Sequence, residues 1–472
     1  MIMPFLGLQV SCTSVAINAQ RSSERKLQAN DPLTGAGLLA RTTFRATAVA
    51  AVRQPITTVM LGLVNLWHRP REIVSANIPM DLGPQVVLAE TPGSWQFERM
   101  LDRADFPRAE SGSLKWLIDG EGFFPELDRQ IAAAQHMIDF QIFIFDNDDI
   151  AVRYADILKR KADQLPVRVL YDDLGSTFAH TSGPLTLGPR GFVPPPDIRA
   201  YLKQNSAVHV RRILNPWFVC DHTKLLVFDH RTAIIGGMNI GREYYSEWHD
   251  LMVRVEGPIV NTLARDFRKS WRRAGPLGDF ARLSPPAIFR RTPPVSSQGI
   301  PLRLLRTDPA EGRYEILDAT LLAIRGAKRR IWIQTPYFAH DDIALAVATA
   351  ADRGVDVRVI LPASGDSAIM DSGNLSTSNG LIRSGAKVYR YPKMTHMKVM
   401  ICDDWACVGS ANLDTLSMRI NRELSLAFAG RAEIQELERM IFLPDFRKSK
   451  RIRLAETQTL ASGIAETIAD QL

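Results

Sequence analysis

One long pattern occurs twice in this chain. Ile138-Asp-Phe-Gln-Ile-Phe-Ile-Phe145 reads as a buried strand, Asp148-Asp149 as the acidic cap of a helix from Ile150 to about Gln164, and Val167–Tyr171 as a second strand. Arg330–Phe338, Asp341-Asp342, an alanine-rich helix from Ile343 to Arg353 and Val355–Leu361 repeat that order. Each copy leads to a His-x-Lys segment and closes on an identical pentapeptide, Asp-Phe-Arg-Lys-Ser, at Asp266–Ser270 and Asp445–Ser449. Strands alternating with helices predict an α/β unit, and the repeat predicts two copies of it. A chain of 472 residues has room for both.

The repeat sets the expected boundaries. The first half spans 113–274, a Pro-rich linker 275–300, the second half 301–454 and a C-terminal tail 455–472, while 1–112 carries no interpretable motif. The interval from Val167 to His222 is 16 residues longer than that from Val357 to His396. The Gly- and Pro-rich stretch Thr181–Pro196 accounts for the excess and reads either as a surface loop or as a lid.

The first motif is His222-Thr-Lys224-Leu-Leu-Val-Phe-Asp229, followed by Gly236-Gly237-Met-Asn239. The second is His396-Met-Lys398-Val-Met-Ile-Cys-Asp403, followed by Gly409-Ser410-Ala-Asn412. On a strand, residues i and i+2 share a face, so each His and Lys is expected to point at one spot. The small Gly236-Gly237 and Gly409-Ser410 pairs let a returning backbone approach and bring Asn239 and Asn412 to the same place. Such a set suits a phosphodiester. One imidazole can attack phosphorus, the other can protonate the leaving oxygen, and the Lys and Asn side chains can hold the non-bridging oxygens. The chemistry calls for no cofactor and no metal. A lone His-x-Lys is a weak signal, but two inside a longer repeat are specific, and satisfied core histidines do not explain the repeated lysines. His68, His136, His180, His209, His230, His249 and His340 recur in no such context and read as ordinary.

These residues resemble the phospholipase D superfamily from about Ser113 to Gly430, and within it the bacterial cardiolipin synthase branch. Gly236-Gly-Met-Asn-Ile-Gly241, Thr335-Pro-Tyr-Phe338, Gly409-Ser-Ala-Asn-Leu-Asp414 and Asn421-Arg-Glu423 look like that branch. The resemblance implies two duplicated α/β/α sandwich halves packed about a pseudo-two-fold axis with one shared active site. It implies a phosphohistidine intermediate, with His222 as nucleophile and His396 as general acid. It further implies that Asp229 and Asp403 are structural, and that Asp250 and Glu423, 28 and 27 residues after their histidines, orient the imidazoles. Gly237 stands where the branch commonly has serine, which removes a hydroxyl that phosphate could meet.

The expected activity is a phosphatidyltransferase of the cardiolipin synthase type acting on anionic phospholipids such as phosphatidylglycerol. Its neighbour is a phospholipase D that transfers the phosphatidyl group to water; a nuclease would need aromatic stacking platforms among basic residues, which are not found. No nucleic-acid partner is expected, and the chain is read as a monomer. Net charge +7 favours anionic partners. Two basic clusters, Arg268–Arg273 and Arg447–Arg453, read either as solvated helix faces or as surfaces for anionic headgroups. Four cysteines give no disulfide framework, although Cys402 and Cys407 could face one another across a hairpin. No segment has the roughly 20 apolar residues that a membrane-spanning helix needs. Ile56–Trp67 reads as a core helix, with a bilayer surface as the alternative, and Cys12 as a weak lipoprotein signal. Peripheral attachment to the bacterial membrane is the expected location.

Overall fold

The computed structural model describes residues 32–75, 87–181, 186, 188–283 and 299–457, so Cys12 lies outside the described residues. These form two compact units, one within Met1–Leu63 and Ser111–Gly299, the other within Val64–Glu110 and Ile300–Leu472.

The first unit is built on β1 (Glu110–Ile118), β2 (Ile138–Ile142), β3 (Val167–Asp172), β4 (His209–Ile213), β5 (Leu225–Phe228), β6 (Thr232–Gly236) and β7 (Leu251–Glu256). Their order in the sheet is β1-β7-β6-β5-β2-β3-β4. The pairs β2–β3 and β3–β4 are parallel and the rest antiparallel. A parallel pair needs a crossover, which the helix Asp149–Ala162 supplies between β2 and β3. Asp148 caps it by accepting the Ala151 N–H, and Ile150, Tyr154 and Leu158 turn its apolar stripe onto Phe140 and Val169. The helix Ile259–Arg273 covers the opposite face with Leu263 and Phe267, leaving the sheet between two helical layers.

The second unit repeats this with β8 (Ile300–Asp308), β9 (Arg313–Tyr314), β10 (Arg330–Gln334), β11 (Asp356–Pro362), β12 (Lys387–Tyr391), β13 (Val399–Cys402), β14 (Trp405–Gly409), β15 (Glu423–Phe428) and β16 (Lys450–Arg451). The order is β8-β15-β14-β13-β10-β11-β12-β16, with β9 beside β8. Register matches as well as order. Gln141 pairs with Leu225 as Gln334 pairs with Val399, and Gly236 pairs with Met252 as Gly409 pairs with Ser425. The expected α/β fold in duplicated halves is thereby present.

Three expectations are corrected. The strands at 138 and 330 are shorter than read, ending at Ile142 and Gln334, because the chain beyond leaves the ladder for isolated bridges, Phe145 with Ile240 and Phe338 with Leu413. Cys402 and Cys407 are buried free thiols, as four irregularly spaced cysteines suggest, but they do not face one another directly. In the hairpin Cys402 lies opposite Trp405 and Cys407 opposite Met400, so they are diagonal neighbours. The segment Ile56–Trp67 lies in the helix Pro55–Ser75, but it is no core helix, since Ile56, Val59, Leu63, Leu66 and Trp67 are exposed.

Candidate active site

In the first unit the extended segment Asp221–Lys224 leads into β5, so His222 and Lys224 precede the ladder rather than lying within it. Lys224 folds back to donate from Nζ to the His222 carbonyl at 2.9 Å, and its ammonium lies 4.8 Å from the centre of the Phe143 ring. The same ring meets the His222 imidazole edge-on, centroids 4.6 Å apart. After Gly236-Gly237 the chain returns alongside the extension of β2: Ile240 N–H donates to Ile144 O and Asp146 N–H to Ile240 O. This carries Asn239 to the end of β2, where its Oδ1 accepts the Ile144 N–H at 3.0 Å and its Nδ2 donates to the Tyr244 hydroxyl at 2.8 Å.

The second unit builds the same local geometry. Lys398 Nζ donates to the His396 carbonyl at 2.7 Å, and the chain after Gly409-Ser410 docks through Leu413 N–H to Tyr337 O and Ala339 N–H to Leu413 O. Asn412 is held differently. Its Oδ1 has no hydrogen-bond partner among the described residues, while its side chain bonds Asp414. Burial pushes the Asp414 carboxyl up to about 7; the Ser417 N–H opposes the shift and the nearby Glu423 charge adds to it. One turn of π-helix begins four residues beyond each asparagine, at Glu243–Glu247 and Leu416–Ile420.

Asp229 and Asp403 occupy the hairpin turns, at φ 52° and 53°. The Asp229 carboxylate accepts the backbone N–H groups of Gln135, His136 and Met137, and that of Asp403 those of Lys328, Arg329 and Arg330. Each staples its turn to the segment that opens β2 or β10. Gly236 and Gly409 lie against the neighbouring strand, where an added Cβ would meet Leu251 O or Leu424 O at 2.4 Å. At the next position the halves differ. The Ser410 hydroxyl donates to Glu423 and accepts the Leu424 N–H at 3.1 Å. Where Gly237 replaces it, the shorter Asp250 turns back to accept the Leu251 N–H itself at 2.7 Å, and its Oδ1 lies 2.3 Å from where a Cβ on Gly237 would be. Serine in the second half therefore faces the carboxylate and backbone.

The sequence family described as "Cardiolipin synthase, PLD-like domain" matches residues 127–271 and 321–442. Cardiolipin synthase A of Pseudomonas putida strain W619 is 32% identical over 362 residues, covering 73% of this chain and 71% of that protein. The chain belongs to the cardiolipin synthase family of phospholipase D-like proteins. Cardiolipin synthase A of Pseudomonas entomophila strain L48 is similarly related, 32% identical over 368 residues, 75% of this chain and 72% of that one. Phosphatidylserine synthase of Haemophilus influenzae Rd KW20 shares the fold, with TM-score 0.59 at 14% identity over 79% of this chain and 96% of that one. A cardiolipin synthase-type chain with this fold is an enzyme, a phosphatidyltransferase of the phospholipase D superfamily.

In this family member, three features escape the sequence reading. Gln141 and Gln334, at matched positions of β2 and β10, bond the residue preceding each histidine: Gln141 Nε2 donates to Asp221 at 3.0 Å, and Gln334 Nε2 to Thr395 at 2.8 Å and to Asp445 at 3.0 Å. Their signal was the glutamine repeated at matched positions of two largely buried strands. Asp146, Asp148 and Glu243 bring carboxylate oxygens within 4.8 Å of one another near the Asn239 loop, though Asp148 is committed to the Ala151 and Arg242 N–H groups. Finally, His340 is an unusual buried imidazole. Neither ring nitrogen has a hydrogen-bond partner among the described residues, and burial lowers it to about 4, so it is neutral.

Proposed function

We propose that the two motif sets act on one phospholipid phosphodiester, transferring a phosphatidyl group from a donor such as phosphatidylglycerol to an alcohol. The observation that carries this reading is the matched construction of the two halves, each presenting His, Lys, Asn and a carboxylate at equivalent places around a strand pair of the same register in a cardiolipin synthase-like chain.

In the first step a ring nitrogen of His222 attacks phosphorus while protonated His396 gives its proton to the departing alkoxide, so the P–O bond breaks as the P–N bond forms. Lys224, Lys398, Asn239 and Asn412 hold the non-bridging oxygens, whose charge grows in the transition state. His396, now neutral, takes the proton of the incoming hydroxyl, whose oxygen displaces His222 and restores both imidazoles. Asp250 and Glu423 orient the histidines. Support for different roles comes from their different surroundings: His222 rests on Phe143 and is half-buried, whereas His396 is buried. The surface serving this chemistry is a peripheral membrane surface.

The test uses His396→Ala with a phosphatidyl ester whose leaving group departs without protonation. The expected result is a phosphoryl adduct on His222 after acid quenching and peptide mapping. An adduct on His396 in His222→Ala, with none on His222 in the converse variant, reverses the roles. No adduct in either, with turnover intact, removes the covalent mechanism.

A further inference from the structure

The helices Pro32–Arg53 and Pro55–Ser75 are amphipathic in the inverted sense. Their buried side is mostly small or polar: Thr42, Ala46, Ala50, Thr57 and Thr58, with Gln54 between the helices, turn inward, and Leu61, a large apolar residue of the second helix, is buried with them. On the outward side of the second helix Ile56, Val59, Leu63, Leu66 and Trp67 follow helical spacing, and each is between 57% and 67% exposed. Phe44 and Val52 on the first helix are exposed at 79%. A helix that turns its polar residues into the protein and its large apolar ones outward is oriented for an apolar phase beyond the protein.

Specific bonds hold this orientation. Gln54 Nε2 donates to Arg273 O at 2.8 Å, and the Thr57 N–H donates to Asp279 at 2.9 Å. Trp217 Nε1 donates to Thr58 O at 2.8 Å, and its indole lies on Gly62, 3.2 Å from where a Cβ would stand. To reach this place Trp217 and Phe218 both adopt the left-handed region, at φ 59° and 60°, a conformation unfavourable for aromatic L-residues. Trp217 is nevertheless 45% exposed, an amphipathic ring with its polar edge bonded to the helix and an apolar edge presented outward. Leu277 and Phe280, exposed, flank the turn at Gly278 that packs on Arg53 O and extend the apolar area.

We propose that this face docks on an anionic phospholipid bilayer, with the stripe of the second helix lying in the interface. Charge favours that occupant over an acidic or neutral partner: no Asp or Glu occurs from Pro32 to Arg71, and Arg41 and Arg53 are exposed. Among the described residues no helix is long and apolar enough to cross a membrane, so the stripe lies along the interface. The cluster Arg268–Arg273, in contrast, is half-buried, with Arg272 donating to Ala281 O. The inference rests on the phospholipid reading for the identity of the apolar phase, but its test does not rest on turnover.

The full chain and a Val59→Gln/Leu63→Gln variant are floated with vesicles of phosphatidylglycerol and phosphatidylcholine, and their sizes are measured without lipid. Both positions are exposed, so circular dichroism should be unchanged, and Val59→Leu/Leu63→Ile should bind as the parent does. The expected result is salt-sensitive flotation of the parent and a fall in vesicle affinity of about one hundredfold in the Gln variant, roughly tenfold for each apolar side chain withdrawn from the interface. Unchanged flotation of the variant, or no flotation of the parent, overturns the proposal. So does a lipid-free dimer of the parent that the variant abolishes, because a second copy is then the occupant. Turnover of dihexanoyl phosphatidylglycerol as monomers should be equal in parent and variant; if neither turns it over while flotation behaves as expected, the functional reading fails and the docking face stands.

Discussion

Gly237→Ser tests whether the two halves solve the same positioning problem with different side chains. The substitution restores in the first half the residue type that the second half carries at Ser410. A Cβ at position 237 meets Asp250 Oδ1 at 2.3 Å and Cγ at 2.9 Å, well inside contact distance. The carboxylate has two ways out: it strains in place, which as overpacking costs about 1–3 kcal/mol, or it rotates away and leaves the Leu251 N–H, now bonded at 2.7 Å, without its acceptor, at a similar cost of about 1–3 kcal/mol. Either route destabilises the first unit by about 2 kcal/mol, equivalent to roughly 4–8 °C in Tm for a unit of this size. Adding Asp250→Glu supplies the longer acid that Ser410 bonds in the second half, so the double variant should recover at least half of the loss, a coupling of about 1 kcal/mol or more. Calorimetry measures the cycle, and turnover of phosphatidylglycerol should follow it, since Asp250 is the carboxylate proposed to orient His222. A Gly237→Ser protein with parental Tm and turnover, or a double variant no better than the sum of its parts, refutes the reasoning.

His222→Ala and His396→Ala should each remove nearly all turnover, because neither half completes the chemistry alone; half-activity in either sinks the single-centre mechanism. Asp229→Ala and Asp403→Ala should each destabilise their own unit by about 2–3 kcal/mol in denaturant titrations, as three backbone N–H groups lose their acceptor. The Asp403 change should cost more, because that carboxylate is fully buried, and the reverse order would contradict the staple. Asp172 and Asp414 are both pushed up to about 7 by burial. The folded state therefore holds their protons where the unfolded chain has released them, so these groups make stability fall as pH rises from about 4 to about 7, with no further loss above. Thermal melts across that window should show a shallower fall in Asp414→Asn, and identical slopes would exclude the carboxyl as a source.

The duplication, the alternation of strand and helix, and the two His-x-Lys segments were legible in the linear chain because each is a local pattern: a hydrophobic period, an acidic cap, a motif repeated in order. The count from His222 to Asp250 and from His396 to Glu423 also survives folding, since the strand register places both acids two residues before the partner of a glycine. What sequence could not decide was which neighbour each side chain meets. Ser410 faces Glu423 and a backbone N–H, Gln141 and Gln334 reach the residues before the histidines, and the His340 ring is buried with no hydrogen-bond partner among the described residues. All depend on segments distant in the chain meeting at a single register. The helix Pro55–Ser75 shows the limit most clearly. Its apolar spacing is visible in sequence, but spacing defines a stripe and not the direction it faces; Asp279, Arg273 and Trp217, some 160 or more residues away, bond its polar side and so turn the stripe outward.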